Sequence, residues 1–171
     1  MSNIWFRLMA LEFKIRDYRS PRANILKEVR IKQGFHVLDF GCGPGGYVLA
    51  GSKLVGELGK FYALDVTPLA IKMVKNIVKK NSLKNVETIL SECATGLPNE
   101  SLDVALLYDV FHGLKNQNTV LEELHRVLKQ DGILSFSDHH LKEPDILSRV
   151  TEGKLFRLLK KGEHTYSFVK N

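Results

Sequence analysis

Short apolar runs alternate along this chain with stretches in which apolar residues recur every three or four positions. HVLDF (36–40), KFYALDV (60–66), VETIL (86–90), SLDVALLYD (101–109) and ILSFSD (133–138) have the length and apolar density of buried strands. The longer period predicts helices between them. One follows Ser20-Pro21, a cap residue with proline in the first turn, and puts Ile25, Leu26 and Val29 on one side. A second leaves GCGPGGY and runs to about Glu57. Thr67-Pro68 repeats the cap-plus-proline start for a lysine-rich helix ending near Asn81. NTVLEELHRVLK aligns Val120, Leu121, Leu124, Val127 and Leu128, with Thr119 and Glu122 placed as a capping box, and Gly132 opens the strand after it. A short helix from about Glu143 to Glu152 leads to KLFRLLKK and HTYSFVK, joined only by GE.

Five strand–helix alternations call for a parallel sheet with helices on both faces. The GE connection is too short for a helical crossover, so the last two strands form an antiparallel hairpin. SECATGLPNE (91–100), broken by Gly96 and Pro98, is too short for a full helix. With no repeats or linkers, residues 21–171 read as one α/β domain. Residues 1–20 read as an N-terminal helical segment. Its stripe of Ile4, Leu8, Leu11 and Ile15 suits a lid, a dimer surface or packing on the domain's own core.

Composition narrows the class without naming it. A 171-residue chain, 44% hydrophobic and 26% charged, can bury a real core. No run approaches a membrane span, and Arg7, Glu12, Lys14 and Arg16 interrupt the apolar N-terminal stretch, so it reads neither as a secretory signal nor as a span. Cys42 and Cys93 have neither metal-ligand nor disulfide spacing, and a reduced, cytoplasmic monomer or homodimer is expected. The net charge of +6 rests largely on a helix where Lys72, Lys75 and Lys79 lie opposite Ile71, Val74 and Val78. A solvated face accounts for that pattern without a nucleic-acid partner.

DFGCGPGGY is where chemistry enters. Four glycines and a proline between a strand and a helix let a ligand lie against bare backbone at the carboxyl end of the sheet. The spacing of Gly41, Gly43 and Gly46 also suits a dinucleotide fold or a tight turn alone. Asp65, closing the second strand, can accept both ribose hydroxyls and would repel a 2′-phosphate, which leaves NAD and S-adenosylmethionine. Three features favour the second. Asp39 precedes Gly41 by two residues, where an acid suits a cationic aminoacyl group better than a pyrophosphate. Glu92 can accept from an adenine amino group while the Cys93 N–H donates to the ring. The closing hairpin is foreign to the dinucleotide pattern.

VLDFGCGPGGY, ALDV, SECATGLP, LLYDVFHGL and RVLKQDGILSFSD, five motifs in register, resemble class I S-adenosylmethionine-dependent methyltransferases. The nearest likeness is to the branch of ubiquinone/menaquinone-biosynthesis and arsenite methyltransferase-like proteins. The resemblance covers about 21–169 and implies a Rossmann-like, seven-stranded, mostly parallel sheet of order 3-2-1-4-5-7-6 with strand seven reversed. It also implies that Asp39, Gly41, Cys42, Gly43 and Gly45 line the methionine end of the cofactor. Asp65 would hold the ribose, Val66 pack on the adenine, and Glu92 and Cys93 read its edge. The family more often has Asp at position 92. Cys42 is a small loop residue here, because methyl transfer from a sulfonium needs no covalent intermediate. The arsenite likeness is thin: that chemistry relies on several substrate-binding cysteines.

The acceptor should lie beyond strands four and five, where Asp109, His112, Asp138, His139 and His140 gather. His112 or His139 is a candidate general base. Metal-dependent O-methyltransferases resemble this chain in acids at the positions of Asp109 and Asp138, but His139 stands where they have Asn; a divalent metal is therefore the less favoured alternative to a general-base histidine. Asp109 can instead shape the strand-four loop against the cofactor. Tyr18 could fold over the methionine carboxylate, and Lys161 and His164 flank the final turn. YDVFHG lacks the N/D-P-P-Y/F motif of amino-directed nucleic-acid methyltransferases, which favours a small-molecule acceptor. An RNA or protein methyltransferase and a non-catalytic S-adenosylmethionine sensor are the alternatives.

Overall fold

A computed structural model describes residues 22–171. Ser20-Pro21, Tyr18 and the stripe within 1–20 lie outside the described residues. The elements in order are α1 (Arg22–Glu28), β1 (His36–Phe40), α2 (Val48–Val55), β2 (Lys60–Asp65), α3 (Pro68–Lys80), β3 (Val86–Leu90) and β4 (Leu102–Tyr108). A 3-10 turn (Phe111–Gly113) then precedes α4 (Gln117–Val127), β5 (Leu128–Ser137), α5 (Glu143–Thr151), β6 (Phe156–Lys161) and β7 (Tyr166–Lys170). The seven strands form one sheet in the order β3-β2-β1-β4-β5-β7-β6. β1–β2, β2–β3, β1–β4 and β4–β5 pair in parallel, and β7 runs antiparallel to both β5 and β6. The hairpin is the one the short GE connection called for, and the order is the one the family resemblance implied.

Strand alternation explains the layers. In β4, Val104, Leu106 and Tyr108 point toward Leu26 of α1, Val48 and Val55 of α2 and Val74 of α3. Ala105 and Leu107 point the other way, onto Val120, Leu121 and Leu124 of α4 and Ile146 of α5. A run apolar on every residue is thus a strand buried on both faces. Among the described residues no helix is long and apolar enough to cross a membrane.

Boundaries moved where backbone needs overrode local pattern. The predicted capping box is absent: α4 starts at Gln117, so Thr119 lies inside the first turn, and Asn116 caps it without a side-chain hydrogen bond. The Gln117 side chain instead donates to Phe111 O at 2.9 Å, joining the helix to the strand-four tip. β5 opens at Leu128 rather than after Gly132. Leu128 pairs with Leu102 while Ile133 pairs with Val104, and the register slip takes up the residues between. Lys170 Nζ donates to Leu128 O at 2.9 Å across this junction. α2 ends at Val55, short of Glu57, because Gly56 turns the chain with φ +68°.

The helix-free 91–100 segment is held from α4. Thr95 N and Oγ1 donate to Glu123 Oε1 (2.8 and 2.6 Å), and Arg126 donates to Leu97 O (3.0 Å) and Asn99 Oδ1 (2.6 Å). Arg126 also grips Glu123 through Nε and Nη2, both at 2.8 Å. The guanidinium, helped by Thr95, lowers the Glu123 carboxyl to about 2.

Candidate active site

All parts of the site hang from the carboxyl ends of the parallel strands. After β1 the chain folds over β2: Gly41 N and Cys42 N both donate to Leu64 O (2.8 and 2.9 Å). Asp39, 2% exposed, sits between Ala63 of β2 and Leu106 of β4 in the ladder. Gly41 has φ +82°, and a Cβ there would lie 2.7 Å from Val110 Cγ2, so both conformation and packing demand glycine. Gly43 is different. Its φ is +51°, yet a Cβ would meet nothing within 4 Å. Open space over a left-handed glycine is what a bed for a ligand requires. Gly45 is buried under Val74 and Ile77 of α3.

Asp65 is buried at the end of β2, its Oδ2 accepting from Gly43 N (2.9 Å) and its Oδ1 from Thr67 N (2.8 Å). The carboxylate expected to hold a ribose is therefore already oriented by the loop it serves. Val66 is 61% exposed, and Leu90, at the tip of β3, is 57% exposed. Leu90 was not anticipated: its place in an apolar strand disguised an apolar ledge at the site. Glu92 is exposed, and the Cys93 N–H expected to face a ring donates to Ser91 Oγ at 3.3 Å. Burial, with the charges of Asp39 and Asp65, pushes the Cys42 thiol up. It stays protonated and is no nucleophile.

The tips of β4 and β5 are cross-braced. Asp138, following β5, is a fully covered carboxylate that accepts from His112 N, His112 Nδ1 (each 3.0 Å) and His140 N (3.1 Å). Asp109, following β4, accepts from His139 N (3.1 Å) and Nδ1 (2.7 Å). Asp109 holds φ +53°, and its N–H donates to Ser137 O at 2.7 Å. The His140 ring lies between the others, with centroids 4.1 Å from His112 and 3.9 Å from His139. An imidazole Nδ1 facing a carboxylate carries the proton, which leaves Nε2 as the acceptor. The His112 side chain is 35% exposed and that of His139 58%, so His112 is the better held.

A cleft of about 270 Å³ opens from His139 toward the β6–β7 turn, past Leu141, Ile146 and Tyr166. The turn itself is tied to α1. Glu28 accepts from His164 N (3.1 Å), Thr165 N (3.2 Å) and Thr165 Oγ1 (2.9 Å), a bond set with no signal in sequence spacing. Lys161, on the cleft wall, pairs with Glu143. Among the described residues, the one group of three potential ligand atoms within 4.8 Å of one another is Glu28, Glu163 and His164. Asp109 and Asp138 belong to no such group; each binds a histidine instead.

A family model described as "Methyltransferase domain" matches residues 31–168. The demethylmenaquinone methyltransferase of Geobacillus stearothermophilus is 30% identical over 113 residues, which are 66% of this chain and 48% of that protein. A probable cobalt-precorrin-6B C(15)-methyltransferase of Sulfolobus acidocaldarius is 36% identical over 88 residues, 50% of this chain and 46% of that one. The chain spans about half the length of the curated relatives it matches. Among solved structures, a SAM-dependent methyltransferase from Aquifex aeolicus superposes with a TM-score of 0.76 at 29% identity, covering 92% of this chain and 96% of that one.

Proposed function

The chain belongs to the class I S-adenosylmethionine-dependent methyltransferases, and on that premise we propose that it moves a methyl group directly, in line, to a small-molecule acceptor deprotonated by His112. The observation that carries this reading is the His112–Asp138 pair at the tips of β4 and β5.

The cofactor supplies a methyl already activated by its sulfonium, so the protein's work is alignment and, where needed, proton removal. Gly43, with open space above it, and Gly41 offer backbone to the methionine end, beside Asp39. Asp65 would hold the ribose, and Val66 and Leu90 give the adenine an apolar seat near Glu92 and Cys93. His112 Nε2 takes the acceptor's proton. Asp138 fixes the ring's tautomer and balances the imidazolium charge, while three donors keep its own orientation. Asp109 holds His139 and the bend of the strand-four tip.

Relatives named for demethylmenaquinone and cobalt-precorrin-6B support a small organic acceptor; the cleft of about 270 Å³ lined by Asp138 and His139 is of a size for one, next to the carboxylate that holds His112. The test has two parts. Isothermal titration with S-adenosylhomocysteine should show binding that Asp65→Ala abolishes. Methyl transfer across a panel of phenols, quinols and carbon acids should then fall by about 10²–10⁴ in His112→Gln. No binding at millimolar product, or equal turnover by the His112 variant, would refute the reading.

A further inference from the structure

The end of the sheet opposite the site carries a feature methyl transfer does not use. Leu58 is 87% exposed, the most exposed large apolar side chain among the described residues. Its loop is not loose. Gly56 N donates to Ser52 O (3.2 Å), and Asn85 Nδ2 donates to Ser52 O (2.9 Å) and Gly56 O (2.7 Å). A Cβ on Gly59 would lie 2.5 Å from Phe35 O, so the return limb fits only glycine. Between these two fixed points the chain pushes Leu58 into water.

Cations surround that tip. Arg30, Lys32, Lys53, Lys79, Lys80 and Lys84 are exposed at the same end, and none joins an ion pair among the described residues. Nearby Lys60 pairs with Glu87 and Lys129 with Asp103, which leaves Glu57 and Asp131 as the opposing acids. A cleft of about 560 Å³ runs between Lys53, Lys60 and Lys84. α3 itself contains no acidic residue.

We propose that this face docks on an anionic lipid bilayer, with Leu58 entering the headgroup–acyl boundary and the lysines over acidic headgroups. A rigid apolar tip in a ring of compact cations is the pattern interfacial binding uses. Single-stranded nucleic acid is less well matched, because its binding faces add stacking aromatics and arginine forks to charge. The surface lies apart from the methyl-transfer site, so binding and turnover can be measured separately.

The test is co-sedimentation of the full chain with phosphatidylcholine vesicles containing about one-third phosphatidylglycerol, at about 0.1 M and about 1 M salt. The chain should bind the anionic vesicles at low salt, leave them at high salt and ignore pure phosphatidylcholine. Lys79→Gln, Lys80→Gln and Lys84→Gln together should weaken binding about 100-fold, roughly fivefold per cation. Leu58→Ser should weaken it about tenfold with an unchanged melting curve. Three results would overturn the proposal: no vesicle binding at low salt, binding indifferent to Leu58→Ser, or tighter binding through the same lysines to a mixed-sequence RNA.

Discussion

Replacing Glu123 by Gln removes one charge from the clamp that orders residues 91–100. In the folded chain this carboxyl is lowered to about 2, from an ordinary value of 4.5, first by Arg126 and then by Thr95. A gap of that size corresponds to about 3 kcal/mol before screening. The Arg126 side chain is 38% exposed and that of Glu123 13%, so water trims the sum to about 1–2 kcal/mol. Because the folded group titrates below the unfolded one, its contribution is complete above about pH 4.5 and disappears as pH falls through about 2. Urea unfolding of both proteins, followed by circular dichroism from pH 7 to pH 2, should show the wild type about 1–2 kcal/mol more stable at neutrality. The two curves should merge near the acid limit. A difference persisting undiminished at pH 2, or one below about 0.5 kcal/mol at pH 7, would refute the assignment of the clamp to charge.

Two neighbouring glycines should respond in opposite ways. Gly41→Ala meets Val110 and is expected to cost about 2–4 kcal/mol in thermal unfolding. Gly43→Ala, with no protein atom in its way, should cost only about 1 kcal/mol yet weaken S-adenosylhomocysteine binding at least about tenfold by titration calorimetry. Asp138→Asn can donate to His112 Nδ1 and select the wrong tautomer; turnover should fall about 10²–10⁴ with product affinity nearly unchanged. Glu28→Ala strips an acceptor from buried Thr165 and should destabilise the chain by about 1–3 kcal/mol, with faster amide exchange at residues 162–165.

What could be read without coordinates was what rests on period and punctuation. VALLY is apolar on consecutive residues because two helical layers bury it, and GE is too short to cross over. Those local facts give a parallel sheet with a closing hairpin; the strand order itself was implied by the family resemblance of the motifs. Cap chemistry was a poorer guide: Thr119 and Glu122 match the box, but Gln117 begins the helix by binding Phe111 O. Leu128 has helical spacing and still serves a strand, because pairing with Leu102 outweighs one more helical turn. At the site, the position of the glycine loop after β1 and of Asp39 and Asp65 near the carboxyl ends of β1 and β2 was legible. Which histidine took which carboxylate was not. The bonds run crosswise between residues 26 and 30 positions apart, and only strand register could pair them. Glu28, 137 residues from Thr165, left no trace in the chain at all.

β7 comes after β6 in the chain yet lies inside it, between β5 and β6. β6 therefore has no hydrogen-bonded neighbour until residues 166–170 have left the ribosome. Until then the outer flank of β5 has no strand partner, next to the cleft wall that Tyr166 completes. The strand inserted between β5 and β6 thus does two jobs: it pairs both neighbours, and through Tyr166 it lines the cleft beside His139.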